Sequence, residues 1–319
     1  MKPKLISVVM SVYNGGAFLE KSIKSILNQS FQNFELIISN NGSTDNTIDI
    51  VNMYRNIDKR VILFDHENLG FSESLNQAIG LATTNIIARM DADDIMLPNR
   101  LMDQYTFFVS NKNISLTSCL AYYINDKEEV IGKTHSDIKS IEVNREYMFK
   151  NEPIGLLHPG TMYYKDVFIK CGGYRGKFFP AEDIDLWNRF NDYGYWAVVQ
   201  QKILMKYRVY SDSEIANDFM LSRKKFQWCR ECMWLRRSGY DEITWHAFLE
   251  KERQLSYIKK INKYRKNYAK YFYRNAGFSF GSNNLLKFAI QLSFAFLLQP
   301  DYILKKLYKQ TIILNTTKK

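Results

Sequence analysis

IIARMDADDIMLP, residues 86 to 98, runs a short apolar stretch straight into three carboxylates, Asp91, Asp93 and Asp94, within four positions. A near-continuous apolar run of this length indicates a strand buried on both faces, since a half-wet strand would alternate. Like charges this close raise one another's cost of ionisation. A divalent cation would relieve that repulsion. Hard oxygen ligands suit magnesium or manganese, which keep several waters and bind one or two carboxylates together with substrate phosphates. The alternative is local: an acidic turn that caps a helix starting near Pro98, because carboxylates favour helix N-termini. The stretch alone leaves both readings open.

Upstream, the same kind of run recurs as LISVVMSV (5 to 12), FELIIS (34 to 39) and VILF (61 to 64), each followed by a helix-like segment. Buried strands alternating with helices predict an α/β fold with a mostly parallel central sheet flanked by helices. The first run could pass for the core of a secretory signal. It stops after about nine residues, lacks a small-x-small cleavage site and enters a turn, so it reads as the first strand. Ligands of such sheets bind at the carboxyl ends of the strands. Three loops therefore matter: SVYNGG after the first strand, SNNGSTDNT after the second and DADD after the fourth. The second is rich in turn formers, and Ser43, Thr44 or Asp45 could simply cap the next helix.

With 319 residues, 46% of them hydrophobic, the chain can bury a sizeable core as one large or two smaller domains, which excludes a disordered protein. The net charge of +11 is unevenly spread: residues 1 to 100 carry 9 Lys/Arg against 11 Asp/Glu, residues 101 to 220 carry 14 against 16, and residues 221 to 319 carry 21 against 6. The excess lies in the last hundred residues, where strand patterns give way to helical spacing. This places a boundary near residue 215. Four cysteines are too few for a disulfide framework at this length. Cys229 and Cys232 form a C-x-x-C in WCRECMWL, but no second pair or spaced histidine follows, so a helix with both thiols on one face is expected.

Five stretches in order, ISVVMSVYNGGAFLEKSIKSILNQSFQNFELIISNNGSTDNT, NLGFSESLNQAI, IARMDADDIMLPNRL, HPGTMYYKDVFIKCGGY and AEDIDLWNRF, resemble the large inverting glycosyltransferase family 2. The similarity covers about residues 4 to 210. It implies the nucleotide-diphospho-sugar transferase fold called GT-A, a nucleotide-sugar donor and a divalent metal, Mn2+ or Mg2+, with a catalytic domain over 1–215 and a basic helical extension over 216–319. By the same resemblance Ser11 and Tyr13 line a nucleobase pocket, and Asn41 hydrogen-bonds the base. Asp91 and Asp93 form the D-x-D motif, with Asp93 the direct metal ligand. Arg89 and Asn68 neighbour the ribose and phosphates, and His158 faces the site, whereas His66, His135 and His246 show no partner pattern. A metal ion between carboxylate and diphosphate stabilises charge on the leaving nucleotide.

The motif AEDIDLW holds the second chemical centre. Glu182 and Asp183 precede a helix-like run, so they could serve only its dipole. The resemblance makes Asp183 the catalytic base, a role the chemistry needs because a sugar hydroxyl is a poor nucleophile until a carboxylate takes its proton. Glu182 supports the acceptor or orients the base. One displacement then inverts the anomeric centre, turning an α-linked donor into a β-linked product.

Three departures bear on these expectations. Asn40 and Asn41 replace the usual aspartates of the nucleotide loop. An amide oxygen still accepts from uracil N3–H while its amine donates, and a UDP-hexose or UDP-N-acetylhexosamine is the donor we expect. Tyr210 stands where many relatives place a histidine, and the Q-x-x-R-W motif of processive synthases is missing, which favours transfer of a single sugar. The apolar segment LLKFAIQLSFAFLLQP (285 to 300) is too short to span a bilayer, since Lys287 and Pro300 interrupt it. It suits an interfacial helix, with flanking basic residues each adding on the order of 1 kcal/mol at anionic lipid; a helical lid with a solvated basic face is the alternative. Peripheral attachment at the cytoplasmic face and a polyprenyl-diphosphate-linked saccharide acceptor, as in O-antigen or capsule assembly, follow as expectations. Two competing readings are a nucleic-acid-binding protein, for which no recognition motif exists, and an inactive sugar-nucleotide binder, which would not need both Asp93 and Asp183.

Overall fold

The computed structural model describes residues 4–209, 219–282 and 284–315. The four apolar runs become β1 (Ile6–Val12), β2 (Phe34–Asn41), β3 (Val61–His66) and β4 (Ile86–Arg89). Further strands are β5 (Ile95–Met96), β6 (Ile114–Ile124), β7 (Val130–Lys133), β8 (Met162–Tyr164) and β9 (Trp196–Arg208). They form one sheet in the order β3-β2-β1-β4-β8-β6-β9-β5, with β7 paired to β6. Strands β3, β2, β1 and β4 run parallel to one another, as β6 does to β9. The short β8 runs antiparallel to both β4 and β6, and β5 antiparallel to β9. The sheet is thus mixed: its parallel half follows the predicted pattern, while β8 reverses direction in its middle.

Helices α1 (Leu19–Leu27), α2 (Thr47–Ile57), α3 (Phe71–Leu81), α4 (Arg100–Ser110), α5 (Ile141–Phe149), α6 (Lys165–Lys170) and α7 (Glu182–Asp192) flank the sheet. Every residue of β1 and β2 is buried, as the unbroken apolar runs require. Successive side chains alternate between two cores. Val8, Met10, Leu36 and Ile38 pack with Leu19, Ile23 and Ile26, one face of α1, and with Leu101 and Phe108 of α4. Val9 and Ile37 pack on the other side with Leu75 and Ile79 of α3 and with Leu186, Trp187 and Phe190 of α7. Each fully buried side chain of this size contributes about 1.5–3 kcal/mol relative to exposure. The second core matters most for function, because Ser11 and Ser39 continue the Val9 and Ile37 face to the carboxyl ends of their strands.

The described residues fall into two compact units: those within Met1–Ile124, Gly132–Arg208 and Lys225–Glu242, and those within Asn125–Ile131, Val209–Lys224 and Ile243–Lys319. The charge boundary near residue 215 lies outside the described residues, as does Tyr210. Within α8 (Phe219–Arg237), Cys229 and Cys232 are both buried on one face and form no disulfide. Burial pushes both thiols up, so they stay protonated and inert rather than redox-active.

The second unit contains α9 (Trp245–Arg253), α10 (Tyr257–Gly281), α11 (Leu285–Leu298) and α12 (Pro300–Asn315). Helices α10 and α11 pack through Phe272 stacked on Phe294 and through Ser279 Oγ donating to Gln291 Oε1 at 2.7 Å. Among the described residues no helix is long and apolar enough to cross a membrane. Leu285, Leu286, Ile290, Phe294 and Leu297 of α11 nevertheless stand exposed.

Candidate active site

The loops after β1 and β2 are knitted together. Asn14 N–H donates to Ser43 Oγ (2.9 Å), Gly15 N–H to Thr47 Oγ1 (2.8 Å), Gly16 N–H to Asp45 Oδ2 (2.9 Å) and Thr44 N–H to Asn14 Oδ1 (2.8 Å). Asp45 also takes the Thr47 N–H at the start of α2, so it does serve that helix while tying the two loops. Tyr13 projects from this frame, 54% exposed and open to a ligand. Asn41 is buried and its Oδ1 accepts from Leu69 N–H at 2.9 Å. That approach depends on Gly42, whose φ is +74° and where a Cβ would lie 2.7 Å from the Asn68 backbone nitrogen. Asn68 itself is exposed and its Oδ1 accepts from Gly70 N–H. Asn40 instead donates to Asp65 Oδ1 at 2.7 Å.

At the end of β4 the three carboxylates can bring ligand atoms within 4.8 Å of one another. They divide the work unequally. Asp94 is fully buried, and its Oδ1 accepts from the Arg208 backbone N–H at 2.8 Å while Oδ2 has no hydrogen-bond partner among the described residues. Burial, then the charges of Asp93 and Asp91, hold its pKa well above the carboxylate range. Asp91 and Asp93 are only half-buried. Helix α4 begins at Arg100 after Asn99, and Asp94 is committed to β9, so the capping role that the sequence left open does not account for the cluster. Two accessible carboxylates beside a crowded third fit a hard divalent cation.

Arg89 lies 1% exposed beside this group and forms an ion pair with Asp91. Nη1 meets the Asp91 carboxylate, whereas Nε and Nη2 have no hydrogen-bond partner among the described residues, a costly state for buried donors. Burial disfavours its charge, but Asp91 together with Tyr174 and Asp94 raises its pKa on balance. Phe71 flanks the guanidinium at 5.4 Å. Arg100, fully buried, supports the strand end from behind: Nη2 donates to the Arg89 carbonyl at 2.8 Å and Nε to Gln104 Oε1 at 2.9 Å. Gln104 in turn donates to Gly160 O at 2.8 Å. His158 Nε2 meets Tyr174 Oη at 2.8 Å, and burial, then the Arg89 charge, drives the imidazole pKa well down, so it is neutral.

Glu182 and Asp183 occupy the first turn of α7, where the helix dipole favours negative charge. Asp183 Oδ1 accepts from Ile184 N–H at 2.7 Å. Burial pushes Asp183 up to about 6, against the pull of that N–H and of Arg89. Burial, then the neighbouring Asp183, pushes Glu182 up to about 8. Glu182 Oε2 has no hydrogen-bond partner among the described residues. The environment therefore separates two adjacent carboxyls into one that is ionised near neutral pH and one that keeps its proton. Arg89 acts on both, and the charge of Asp91 reaches both, which joins the two acidic centres electrostatically.

An ion network holds α7 in place. Arg175 bridges Asp185 and Glu242, Arg236 bridges Asp192 and Glu242, and Arg189 and Arg237 complete it on Asp185 and Asp192. The Arg175 and Arg236 charges lower Glu242 to about 2 against its burial.

The sequence profile described as Glycosyl transferase family 2 matches residues 7–208. The O-antigen biosynthesis glycosyltransferase WbnJ of Escherichia coli is 37% identical over 186 residues, covering 58% of this chain and 71% of WbnJ. Two solved structures share the GT-A fold at low identity. S. aureus TarS 1-349 in complex with UDP-GlcNAc has a TM-score of 0.55 at 13% identity, covering 93% of this chain and 91% of that one. The mannosyltransferase PcManGT of Pyrobaculum calidifontis, in complex with GDP-Man and Mn2+, has a TM-score of 0.51 at 16% identity, covering 95% and 81%. Five ordered motifs, a sheet that ends in an acidic group beside a carboxyl pair, and a profile spanning most of the chain agree: this protein is a glycosyltransferase and belongs to glycosyl transferase family 2.

Proposed function

We propose that the chain transfers one sugar, with inversion, from a UDP-hexose or UDP-N-acetylhexosamine to a hydroxyl of a polyprenyl-diphosphate-linked saccharide during bacterial surface polysaccharide assembly. The observation that carries this reading is the division of labour between Glu182 and Asp183 in reach of the Asp91 and Arg89 charges. Asp183, ionised at neutral pH, takes the proton of the acceptor hydroxyl as that oxygen attacks the anomeric carbon opposite the leaving nucleotide. Glu182, protonated, offers a hydrogen bond without adding a second charge beside the base. Asp93 and Asp91 would hold the divalent cation, Mn2+ or Mg2+, which when bound neutralises charge on the leaving diphosphate. Arg89 balances Asp91 and orients phosphate oxygens. Tyr13, Ser11, Asn41 and Asn68 line the nucleotide side. The WbnJ likeness supports the polysaccharide setting, and the UDP-GlcNAc and GDP-Man bound to the two structural neighbours support a nucleotide-sugar donor.

Peripheral attachment at the cytoplasmic membrane face belongs to the same proposal. Its support is charge complementarity: the last hundred residues carry the whole positive excess, and α11 exposes Leu285, Leu286, Ile290 and Leu297. The reading is tested by offering a panel of UDP-, dTDP- and GDP-sugars with manganese, following the melting temperature, and then determining the anomeric configuration of the product by NMR. A donor that binds only the folded state raises the melting temperature. Retention of configuration, or no response to any nucleotide sugar, would refute it. Binding to polynucleotide but not to anionic liposomes at physiological salt would redirect the basic region to nucleic acid.

A further inference from the structure

A chain of buried hydroxyls runs behind the nucleotide end of the sheet, and one ring sets its direction. His66 Nδ1 lies 2.6 Å from the Glu67 carbonyl oxygen. A carbonyl only accepts, so Nδ1 carries the proton and Nε2 of the neutral ring is an acceptor. Ser39 Oγ lies 2.7 Å from Nε2, so the Ser39 hydrogen is spent there. Ser74 Oγ, at 2.8 Å from Ser39 Oγ and 3.4 Å from Nε2, can then only donate toward them. Ser11 Oγ, 2.7 Å from Ser74 Oγ, donates in turn. All three serines are buried, so bulk water does not scramble the order. Ser11 is left with lone pairs alone to offer a ligand.

We propose that His66 is a positioning residue: through Ser39 and Ser74 it fixes Ser11 as a hydrogen-bond acceptor for an N–H of the nucleotide base. This rests on the reading of Ser11 as part of the nucleotide pocket. Asn41 completes the pattern, because its Oδ1 already serves Leu69 N–H and its amide N–H groups are what it offers a ligand. An acceptor beside a donor complements a ring N–H next to a carbonyl, the arrangement in uracil and guanine. The groups around His66 leave its role undisturbed. Ser39 and Ser74, facing it from β2 and α3, are uncharged, the Phe64 ring lies 4.7 Å away, and Asp65 on its own strand is engaged by Asn40.

The test uses the full chain with manganese and UDP as probe. Lysine has donors and no acceptor, so His66→Lys reverses the relay and turns the Ser11 hydrogen toward the base, where it meets another N–H. UDP affinity should fall about tenfold or more, whereas His66→Gln, which keeps an acceptor oxygen, should stay near wild type. In a Ser74→Ala background the relay is broken, and His66→Lys should then cost nothing further. Melting temperatures confirm folding of each variant. Equal affinities for the Lys and Gln variants, or a full His66→Lys loss on top of Ser74→Ala, would overturn the proposal. So would 15N shifts showing the Nε2–H tautomer in the unliganded wild type, a readout independent of any nucleotide. If the tautomer is as argued but the wild type binds neither UDP nor GDP, the nucleotide reading itself fails and the relay role with it.

Discussion

Replacing Glu182 by glutamine should stabilise the protein at alkaline pH and leave it almost unchanged in mild acid. Glu182 is 4% exposed, its Oε2 lacks a hydrogen-bond partner among the described residues, and burial followed by Asp183 pushes it from 4.5 to about 8. The sign follows from proton linkage. The folded state holds this proton more tightly than the unfolded chain, so stability is fully present below pH 4.5 and drains away as pH rises through about 8. At ~1.4 kcal/mol per pH unit of separation, the loss has a ceiling of about 5 kcal/mol. Glutamine keeps the shape and one donor but cannot ionise. Urea unfolding of both proteins in chelator, from pH 5 to 8.5, measures the gap. Asp183 is raised in the same direction, to about 6, but is present in both chains and cancels to first order in the difference. Because the two carboxyls titrate as a pair, the total gap is the quantity to compare. A gap that is constant with pH, or that closes as pH rises, would refute the assignment of Glu182 as a buried, protonated acid.

Three further outcomes are expected. Asp183→Asn should keep UDP-sugar binding while transfer falls about 10²-fold or more, and the acid limb of the wild-type rate, centred near pH 6, should vanish from what remains; loss of donor binding would make Asp183 structural instead. Asp93→Ala should abolish manganese-dependent UDP binding in calorimetry, and undiminished wild-type activity in excess chelator would contradict the metal's role. Leu286→Glu, Ile290→Glu and Leu297→Glu together should release the chain from anionic liposomes in a flotation assay without changing turnover on a soluble acceptor. Continued flotation would remove α11 as the anchor.

The parallel half of the sheet was readable in the sequence because β1 and β2 are buried along their whole length and β4 along most of its own, which calls for largely apolar runs, and the edge strand β3, although only partly buried, opens on the apolar VILF. Strand β8 was not: three residues, Met162–Tyr164, are too few to show a period, and their antiparallel direction is set by pairing with β4 and β6 far along the chain. The acidic cluster was visible as a cluster, but not its division of labour. Which carboxylate is buried depends on the Arg208 backbone N–H, 114 residues from Asp94. Arg100 stood in the quoted motif yet gave no chemical signal, since its donation to the Arg89 carbonyl is a matter of packing. Ser39 and Ser74 were equally silent, because serine carries no hydrophobic signature and their meaning lies in the contact of α3 with β2. The paired thiols of Cys229 and Cys232 lie on one buried helical face, as the spacing of three residues required.

The ion network behind α7 constrains how this protein can be recombined with its relatives. The family match ends at residue 208, which invites a junction there when C-terminal helices are exchanged to alter membrane or acceptor preference. Such a graft would discard Glu242, Arg236 and Arg237, leaving Arg175 with one of its two carboxylates and Asp192 with neither of its arginines beneath the helix that begins at Glu182. Arg175 is 26% and Asp192 14% exposed, so the loss is smaller than the about 3–5 kcal/mol of a fully buried pair, yet it loosens the base from its acceptor while the nucleotide half stays intact. Chimeras joined after Glu242 keep the network whole, so the productive crossover point lies more than thirty residues beyond the end of recognisable family sequence.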